Sequence, residues 1–303
     1  MTFKLGTRGS PLALVQAHAT RDALALAHQI DPAEIEIVAI RTTGDRVQDR
    51  ALAEIGGKAL WTKELDRALC CGDIDAAVHS MKDVETIRPT EIRIAAMLPR
   101  ADVRDRLVGI ASLADLPANG VVGTSSPRRA AQVLRHRSDA RIVLFRGNVD
   151  TRLSKLAAGE VDATLLAAAG LIRLGRHEVG TAVPIDTMLP APSQGAVGIE
   201  VRADDDAALA FVRMVDHAPT HQAVRAERGF LAALGADCHS PVGALATIEG
   251  DVLTLRAQLL AQDGSAQISD SSGGAIDDID LPRALAEAML ARAPDSVARL
   301  FAR

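Results

Sequence analysis

The sequence predicts an α/β protein with two similar lobes, whose mixed sheets surround a cleft, and a small C-terminal α+β domain with a three-stranded antiparallel sheet. Short apolar strands alternate with amphipathic helices through residues 1–216, which is typical of α/β folds. One strand-and-turn pattern occurs twice in that region, which indicates two related lobes. After residue 217, turns that contain Gly and Asp separate alternating strands, as in β-hairpins.

The composition restricts the class of protein. A length of 303 residues suggests two or three domains, and 48% hydrophobic with 24% charged residues is typical of a globular protein with a large core. The net charge is −5, and only 2% of the residues are aromatic. An acidic chain with few stacking side chains is a poor candidate for binding nucleic acid. We therefore expect a small-molecule partner and no nucleic acid.

The targeting and cysteine patterns favour a cytoplasmic protein without a metal site. No apolar run reaches the length of a membrane span, and residues 1–16 do not resemble an export signal. Cys70 and Cys71 are adjacent and Cys238 is distant, which fits neither a disulfide framework nor a metal-ligand spacing. Taken alone, Cys238 is interpreted as a buried structural thiol. No strong interface pattern is visible, so we expect a monomer.

The first lobe is organised around residues 72–85. A strand predicted over residues 74–78 is followed directly by His79, Ser80, Lys82 and Asp83. In open α/β sheets, ligands bind beyond the carboxyl ends of the strands. These side chains are therefore a candidate ligand site, although ordinary solvated loop charges would give the same pattern.

Caps and periodicity predict the other elements of the first lobe. A first strand ends at Gly6, and Ser10 and Pro11 then begin a helix. A second strand is predicted over residues 36–40, and a second helix over residues 62–70.

The second lobe repeats this order. Residues 121–129 match the first strand with its Gly-Thr and Ser-Pro turn, residues 142–148 match the second strand, and residues 159–163 match the start of the organising stretch. The first lobe has more residues between the matched segments, and we predict a mobile lid over residues 46–60. Two lobes of this construction are periplasmic-binding-protein-like.

A buried strand predicted over residues 195–200 is expected to return to the first lobe. The predicted domains are residues 1–98 with 196–216, residues 99–195, and residues 217–303. Cys238 lies on the loop that opens the third domain. The elements predicted for that domain are a helix over 220–234, strands over 244–248, 252–260 and 265–271, and a last helix over 282–301.

Arginine recurs where strands turn into helices. Arginine binds carboxylate and phosphate groups in a bidentate manner, and helix N-termini after Ser10 and Ser126 add backbone N–H donors. A single arginine is more often a surface side chain, but equivalent positions in both lobes predict one shared polyanionic ligand. Asp83 is the exceptional negative charge, which neighbouring cations should keep ionised and able to stabilise a developing cation. The arginines are Arg8, Arg41, Arg46, Arg128, Arg129, Arg146, Arg152 and Arg173.

Several longer motifs give a specific resemblance. They are GTRGSPLALVQ (6–16), GGKALWTKELDRAL (56–69), DIDAAVHSMKDV (73–84), GTSSPRRAAQV (123–133), RGNVDTRLSKL (146–156), LPAPSQGAVGIE (189–200) and ADCHSPVG (236–243). In this order they resemble the porphobilinogen deaminase, or hydroxymethylbilane synthase, family over all three predicted domains. The resemblance implies a transferase of porphyrin and heme biosynthesis that condenses four porphobilinogen molecules head to tail, with loss of ammonia, and hydrolyses the product to hydroxymethylbilane.

The resemblance also implies a cofactor and roles for individual residues. A dipyrromethane made from substrate is expected to be attached to Cys238 through a thioether. Asp83 matches the catalytic aspartate, which binds pyrrole N–H groups and stabilises the cation left when ammonia departs. Arg8, Arg128, Arg129, Arg146, Arg152 and Arg173 match the arginines that bind acetate and propionate groups. Ser80, Lys82 and Ser126 match cofactor contacts, Asp45, Lys58, His79 and Gln194 are weaker matches, and Lys58 and Trp61 lie in or beside the predicted lid.

Two other hypotheses stay open. The first is a two-lobed anion-binding protein of the solute-receptor kind, which predicts an export signal and no covalent adduct. The second is an inactive deaminase-like homologue. The motifs do not favour the second hypothesis, because Asp83, Cys238 and the arginines are all present.

Overall fold

The computed structural model describes residues 2–41 and 62–301, so the predicted lid over 46–60 lies outside the described residues. The α-helices of these ranges are α1 (Pro11–His28), α2 (Lys63–Cys70), α3 (Pro127–His136), α4 (Val149–Ala157), α5 (Ala168–Arg173), α6 (Asp206–Arg213), α7 (Ala218–Leu234), α8 (Leu281–Leu290) and α9 (Asp295–Ala298). The strands are β1 (Phe3–Arg8), β2 (Ile35–Ile40), β3 (Ala76–Ser80), β4 (Ile92–Met97), β5 (Asp105–Val108), β6 (Val121–Gly123), β7 (Arg141–Val143), β8 (Ala163–Ala167), β9 (Thr181–Ala182), β10 (Val197–Arg202), β11 (Val242–Glu249), β12 (Val252–Leu260) and β13 (Gln267–Ala275).

The chain forms two compact units, Met1–Ala101 with Gly195–His221 and Asp102–Gln194 with Gln222–Arg303. The first unit contains a five-stranded mixed sheet in the order β2-β1-β3-β10-β4. Strand β1 is parallel to β2 and β3, whereas β10 is antiparallel to β3 and β4. The core of this unit is built from apolar strand residues, such as Leu5, packed against α1 and α6.

The second unit contains a five-stranded sheet of the same construction, in the order β7-β6-β8-β5-β9. Strand β6 is parallel to β7 and β8, and β5 is antiparallel to β8 and β9. Each sheet therefore has three parallel strands followed by two strands that introduce antiparallel pairs. This topology confirms the predicted fold class of two similar α/β lobes with mixed sheets.

The second unit also contains the predicted three-stranded antiparallel sheet, in the order β11-β12-β13. Its core packs against α7 and α8 and includes Phe230, which is fully buried. The strand predicted over residues 265–271 begins and ends later, as β13. Gly274 belongs to that strand because it pairs with Leu253 of β12, and a side chain there would collide with Leu281 of α8, so glycine allows the helix to approach the sheet closely.

The single last helix predicted over residues 282–301 is wrong. The chain forms α8 and then the short α9, with Pro294 between them as the N-cap of α9. Proline has no backbone N–H and clashes with the preceding turn, so the first helix cannot continue through it. Apolar periodicity continues across the break, which is why the pattern predicted one helix.

The organising strand of the first lobe also differs from its prediction. Gly72 has a φ of 76°, and the Asp75 carboxylate accepts a hydrogen bond from Lys4 N at 2.7 Å, so these residues form the approach to β3. As a result β3 begins and ends two residues later than the predicted range of 74–78, and His79 and Ser80 are its last two residues. Lys82 and Asp83 follow in a 3₁₀ turn.

Gly198 of β10 supports this turn. It pairs with His79 in the sheet, and a Cβ atom at Gly198 would lie 2.1 Å from Met81 Sδ. Met81 is 1% exposed, and its backbone N–H donates to Ala196 O at 3.1 Å. The absence of a side chain at Gly198 therefore lets Met81 anchor the turn that carries Asp83.

We expect Gly198→Ala to lower the free energy of unfolding by about 1–3 kcal/mol, because Met81 must leave its buried position. Urea unfolding at fixed pH measures this change. Gly273→Ala is the control, since a Cβ atom on that strand would have its nearest neighbour at 3.7 Å. Equal losses of stability in the two variants would contradict the role given to Gly198.

Candidate functional site

A small pocket of about 60 Å³ lies at the carboxyl ends of β1 and β3 in the first unit. These strands are parallel neighbours, so their ends meet at one edge of the sheet. The pocket brings together four residues that the sequence analysis selected: Arg8, His79, Ser80 and Asp83. The structure thus places a guanidinium, an imidazole, a hydroxyl and a carboxylate around one small volume.

The N-terminus of α1 adjoins this pocket. Ser10, which caps the helix by accepting from Ala13 N at 3.4 Å, lines the pocket together with Ala13. The positive end of the helix dipole and the cation of Arg8 both favour a negative group on the ligand. Asp83 supplies the opposite charge, so the pocket can receive a ligand that carries both an anionic group and a cationic or N–H group.

Gln16 is a pocket residue that the sequence analysis did not select. Its side chain is buried, and Nε2 donates to Ser80 Oγ at 2.9 Å, which fixes the position of that hydroxyl. Gln16 lies four residues after Leu12 on the same face of α1, within an apolar stretch. A lone polar residue on an apolar helix face was the available signal, but its partner on β3 depends on the tertiary structure.

A buried ionic network lies on the other side of His79. The Glu200 carboxylate is fully buried and accepts two hydrogen bonds from Arg88, from Nε at 2.8 Å and from Nη2 at 2.9 Å. Arg88 Nη1 also donates to Glu85 at 2.6 Å, and Nη2 donates to Asp66. His79 Nε2 lies 3.2 Å from Glu200 Oε2. Burial raises the pKa of Glu200, but His79 and Arg88 outweigh it and lower that pKa to about 2.

We expect Arg88→Leu to lower the free energy of unfolding by about 3–5 kcal/mol at neutral pH, because it leaves buried Glu200 without its main partner. Chemical denaturation measures the loss. The matched control is Arg93→Leu, which removes a more exposed pair with Asp206 at 3.2 Å and should cost less than about 1 kcal/mol.

The sign of the pH dependence follows from the lowered pKa of Glu200. Its stabilising contribution is complete above its unfolded pKa of 4.5 and is lost as the pH falls toward about 2. The difference between wild type and Arg88→Leu should therefore shrink over that range. A difference that stays constant from pH 5 to pH 2 would contradict this assignment.

In the second unit, Arg128 and Arg129 lie in the first turn of α3 and share one buried carboxylate, that of Asp105. Arg128 Nη2 donates to Oδ2 at 2.8 Å, and Arg129 Nη2 donates to Oδ1 at 2.7 Å. Gln194 Nε2 donates to the same Oδ1 at 2.9 Å. Burial raises the pKa of Asp105, but the two guanidinium groups hold it well below its usual range. Sequence reasoning selected the two arginines and Gln194 but missed the carboxylate that organises them.

The other predicted residues of this unit lie at strand ends and helix starts. Ser126 caps α3 by accepting from Arg129 N at 3.4 Å. Arg146 follows β7 and is buried, and Arg152 of α4 donates from Nε to Gly147 O at 3.0 Å. Arg173 ends α5, and burial lowers its pKa.

Cys238 is exposed, so its interpretation as a buried structural thiol is wrong. It lies in the turn between α7 and β11, beside Asp237. The Asp237 carboxylate accepts from His239 N at 2.8 Å, which engages this acidic neighbour with the backbone of the turn. The thiol is thus accessible to a reactive molecule without unfolding of the domain.

Four predicted residues lie outside the described residues: Asp45, Arg46, Lys58 and Trp61. Lys82 is half-buried in the turn beside Asp83. Within residues 2–41 and 62–301, no helix is long and apolar enough to cross a membrane.

The fold and the site together define a class: an α/β protein with two similar lobes, an acidic residue in a polar strand-end pocket and a C-terminal domain with an exposed cysteine. Two family models match within the chain. Residues 3–210 match "porphobilinogen deaminase, dipyromethane cofactor binding domain", and residues 221–291 match "porphobilinogen deaminase, C-terminal domain". The chain belongs to the porphobilinogen deaminase family.

Curated relatives agree with the family models over most of the chain. A porphobilinogen deaminase from Sphingopyxis alaskensis is 56% identical over 99% of this chain and 96% of its own length. One from Nitrobacter hamburgensis is 50% identical over 89% of this chain and 87% of its own length. A chloroplastic one from Oryza sativa is 48% identical over 91% of this chain and 78% of its own length.

Proposed function

We propose that the protein is a transferase that condenses four porphobilinogen molecules head to tail on a covalent dipyrromethane primer and then hydrolyses the product to hydroxymethylbilane. Family membership over residues 3–210 and 221–291 supports the reaction class. The structural observation that carries the proposal is the pocket at the ends of β1 and β3, where Asp83 faces the same volume as Arg8. A pyrrole substrate with carboxylate groups needs a positive side chain to bind them. The cation left when ammonia departs needs a negative side chain close by.

The residues present fit a dipyrromethane group. Cys238 is an exposed thiol on an otherwise well-packed domain, which suits attachment through a thioether. We propose that Arg146, Arg152 and Arg173, at strand and helix ends, bind its carboxylates, with Arg128 and Arg129 contributing the charge that Asp105 does not neutralise. Ser80, Lys82, Ser126 and Gln194 are proposed as further contacts. When bound, the cofactor supplies the pyrrole end to which substrate is joined.

Three residues of the first-unit pocket have a proposed task here. Asp83 binds pyrrole N–H groups and stabilises the cation that forms on the substrate as ammonia leaves. Arg8 binds a substrate carboxylate, helped by the N-terminus of α1. Ser80, held by Gln16, donates or accepts a hydrogen bond at a fixed position. Lys58 and Trp61, in or beside the predicted lid, are proposed to cap the substrate site and exclude water from the cation, and Asp45 is proposed as a further contact.

We further propose that the protein is a cytoplasmic monomer. Cys70, Cys71 and Cys238 are all exposed and form no disulfide within the part of the chain that the structure describes, which is typical of a reducing compartment. The expectation of a monomer rests on the lack of an interface pattern in the sequence.

We expect Asp83→Asn to lower kcat by at least about 10²-fold, because the amide cannot stabilise a cation as a carboxylate does. The rate of hydroxymethylbilane formation from porphobilinogen measures this, and intact mass verifies that the variant still carries its cofactor. Asp73→Asn, which neutralises an exposed carboxylate before β3, is the control and should keep the wild-type rate. Near-normal turnover of Asp83→Asn would remove Asp83 from the mechanism.

We expect Cys238→Ser to abolish covalent attachment, because a hydroxyl is a far weaker nucleophile than a thiol at neutral pH. Electrospray mass of the intact protein should show an excess of two linked pyrrole units in the wild type and none in the variant. Cys70→Ser is the matched control, since it removes another exposed thiol and should leave the adduct in place. An adduct that persists in Cys238→Ser would place the attachment on another residue.

A further inference from the structure

His79 is held between the pocket and the buried ionic network. Its side chain is 4% exposed, yet the residue lines the same pocket as Asp83 and Arg8. On the opposite side, Nε2 lies 3.2 Å from Glu200 Oε2. Both residues belong to adjacent antiparallel strands, β3 and β10, so the sheet itself fixes their separation.

The Glu200 carboxylate determines which ring nitrogen of His79 carries a proton. An ionised carboxylate only accepts hydrogen bonds, and a lone pair on Nε2 would be repelled by Oε2. Nε2 therefore carries the proton. Its N–H does not point straight at Glu200 Oε2, so the attraction between the two groups is mainly electrostatic. The other ring nitrogen, Nδ1, forms no hydrogen bond with any residue that the structure describes, and His79 is one of the residues that line the pocket.

The surroundings of Glu200 place negative charge behind the ring. Among the described residues, the carboxylates of Glu200, Glu85 and Asp66 all form ion pairs with the guanidinium of Arg88. On the pocket side, the charged groups are Arg8 from β1 and Asp83 from the turn after β3. The parts of α1 that line the pocket are uncharged. The ring of His79 thus has the Glu200 carboxylate on one side and lines the pocket that holds Arg8 and Asp83.

We propose that His79 Nδ1 accepts the proton released in each condensation, and that Glu200 is the positioning residue that keeps the other proton on Nε2 and stabilises the imidazolium. This inference rests on the proposed function and extends it. Asp83 is already assigned to the pyrrole N–H groups and the cation, so the departing proton needs a second acceptor in the same pocket. The arrangement follows the general logic of an imidazole oriented by a buried carboxylate.

The step balances in atoms and charge. The C–N bond of the protonated aminomethyl group breaks, and its electron pair leaves on ammonia. The bound primer would supply the pyrrole carbon to which the new C–C bond forms, and the C–H bond of that carbon would break and return its electron pair to the ring. The proton of that C–H bond passes to His79 Nδ1 and from there to the released ammonia or to water.

The test compares pH profiles of kcat for cofactor-loaded wild type and two variants, with loading measured by intact mass. In the wild type, the pH profile of kcat should have an acid limb, as expected of a step that needs a proton acceptor. His79→Gln should lower kcat by about 10²-fold or more with little change in KM, and should remove that acid limb. Glu200→Gln should lower kcat and move the limb to lower pH. His18→Gln, an exposed histidine on α1, is the matched control and should keep the wild-type profile.

A second readout separates proton transfer from structural support. Added imidazole should restore part of kcat in His79→Ala but not in Glu200→Gln, because only the first variant leaves a place for the base. An unchanged kcat and acid limb in His79→Gln would overturn the inference, even if Glu200→Gln folds poorly. A wild type that forms no hydroxymethylbilane at all would instead overturn the proposed function.

Discussion

A fully buried carboxylate in each unit is the constraint on which the rest of the structure depends. Burial of a charge costs several kcal/mol unless it is paired and hydrogen-bonded. Glu200 on β10 meets this requirement through Arg88, and Asp105 on β5 meets it through Arg128 and Arg129. In both sheets the carboxylate is on a strand that pairs antiparallel with its neighbours, so the ion pairs join that strand to residues far away in sequence.

The same two carboxylates arrange the site residues. Glu200 lies behind His79 and holds the segment that follows Asp83 through Arg88 and Glu85, so the pocket at the end of β3 has a rigid support. Asp105 fixes Arg128 and Arg129 at the start of α3 and uses part of their hydrogen-bonding capacity. Preorganisation of this kind is what a site needs to stabilise charge that develops only during a reaction. The stability of the fold and the placement of the proposed catalytic groups therefore depend on the same bonds.

Much of the fold followed from local signals. The caps Ser10 and Ser126 and the repeated strand-turn pattern predicted the two lobes, because capping and apolar periodicity act over a few residues. The pattern failed where a distant contact decided the outcome. Asp75 binds the backbone of Lys4 at the approach to β3, and residues 272–275 extend β13 because they pair with β12. The predicted roles of the arginines came from motif resemblance, whereas Gln16, Arg88 and Asp105 were not selected at all.

The sequence by itself determined the classes of element, the duplication of the lobes, the family motifs and the identity of the chemical groups, including Asp83 and Cys238. The tertiary structure decided which of these groups meet. Glu200 and Arg88 are 112 residues apart, and Arg128 and Asp105 lie on different elements, so their pairing depends on strand order and register. Burial and ion pairing then set the pKa values of Glu200 and Asp105. Both effects act only in the assembled core and have no counterpart in the extended chain.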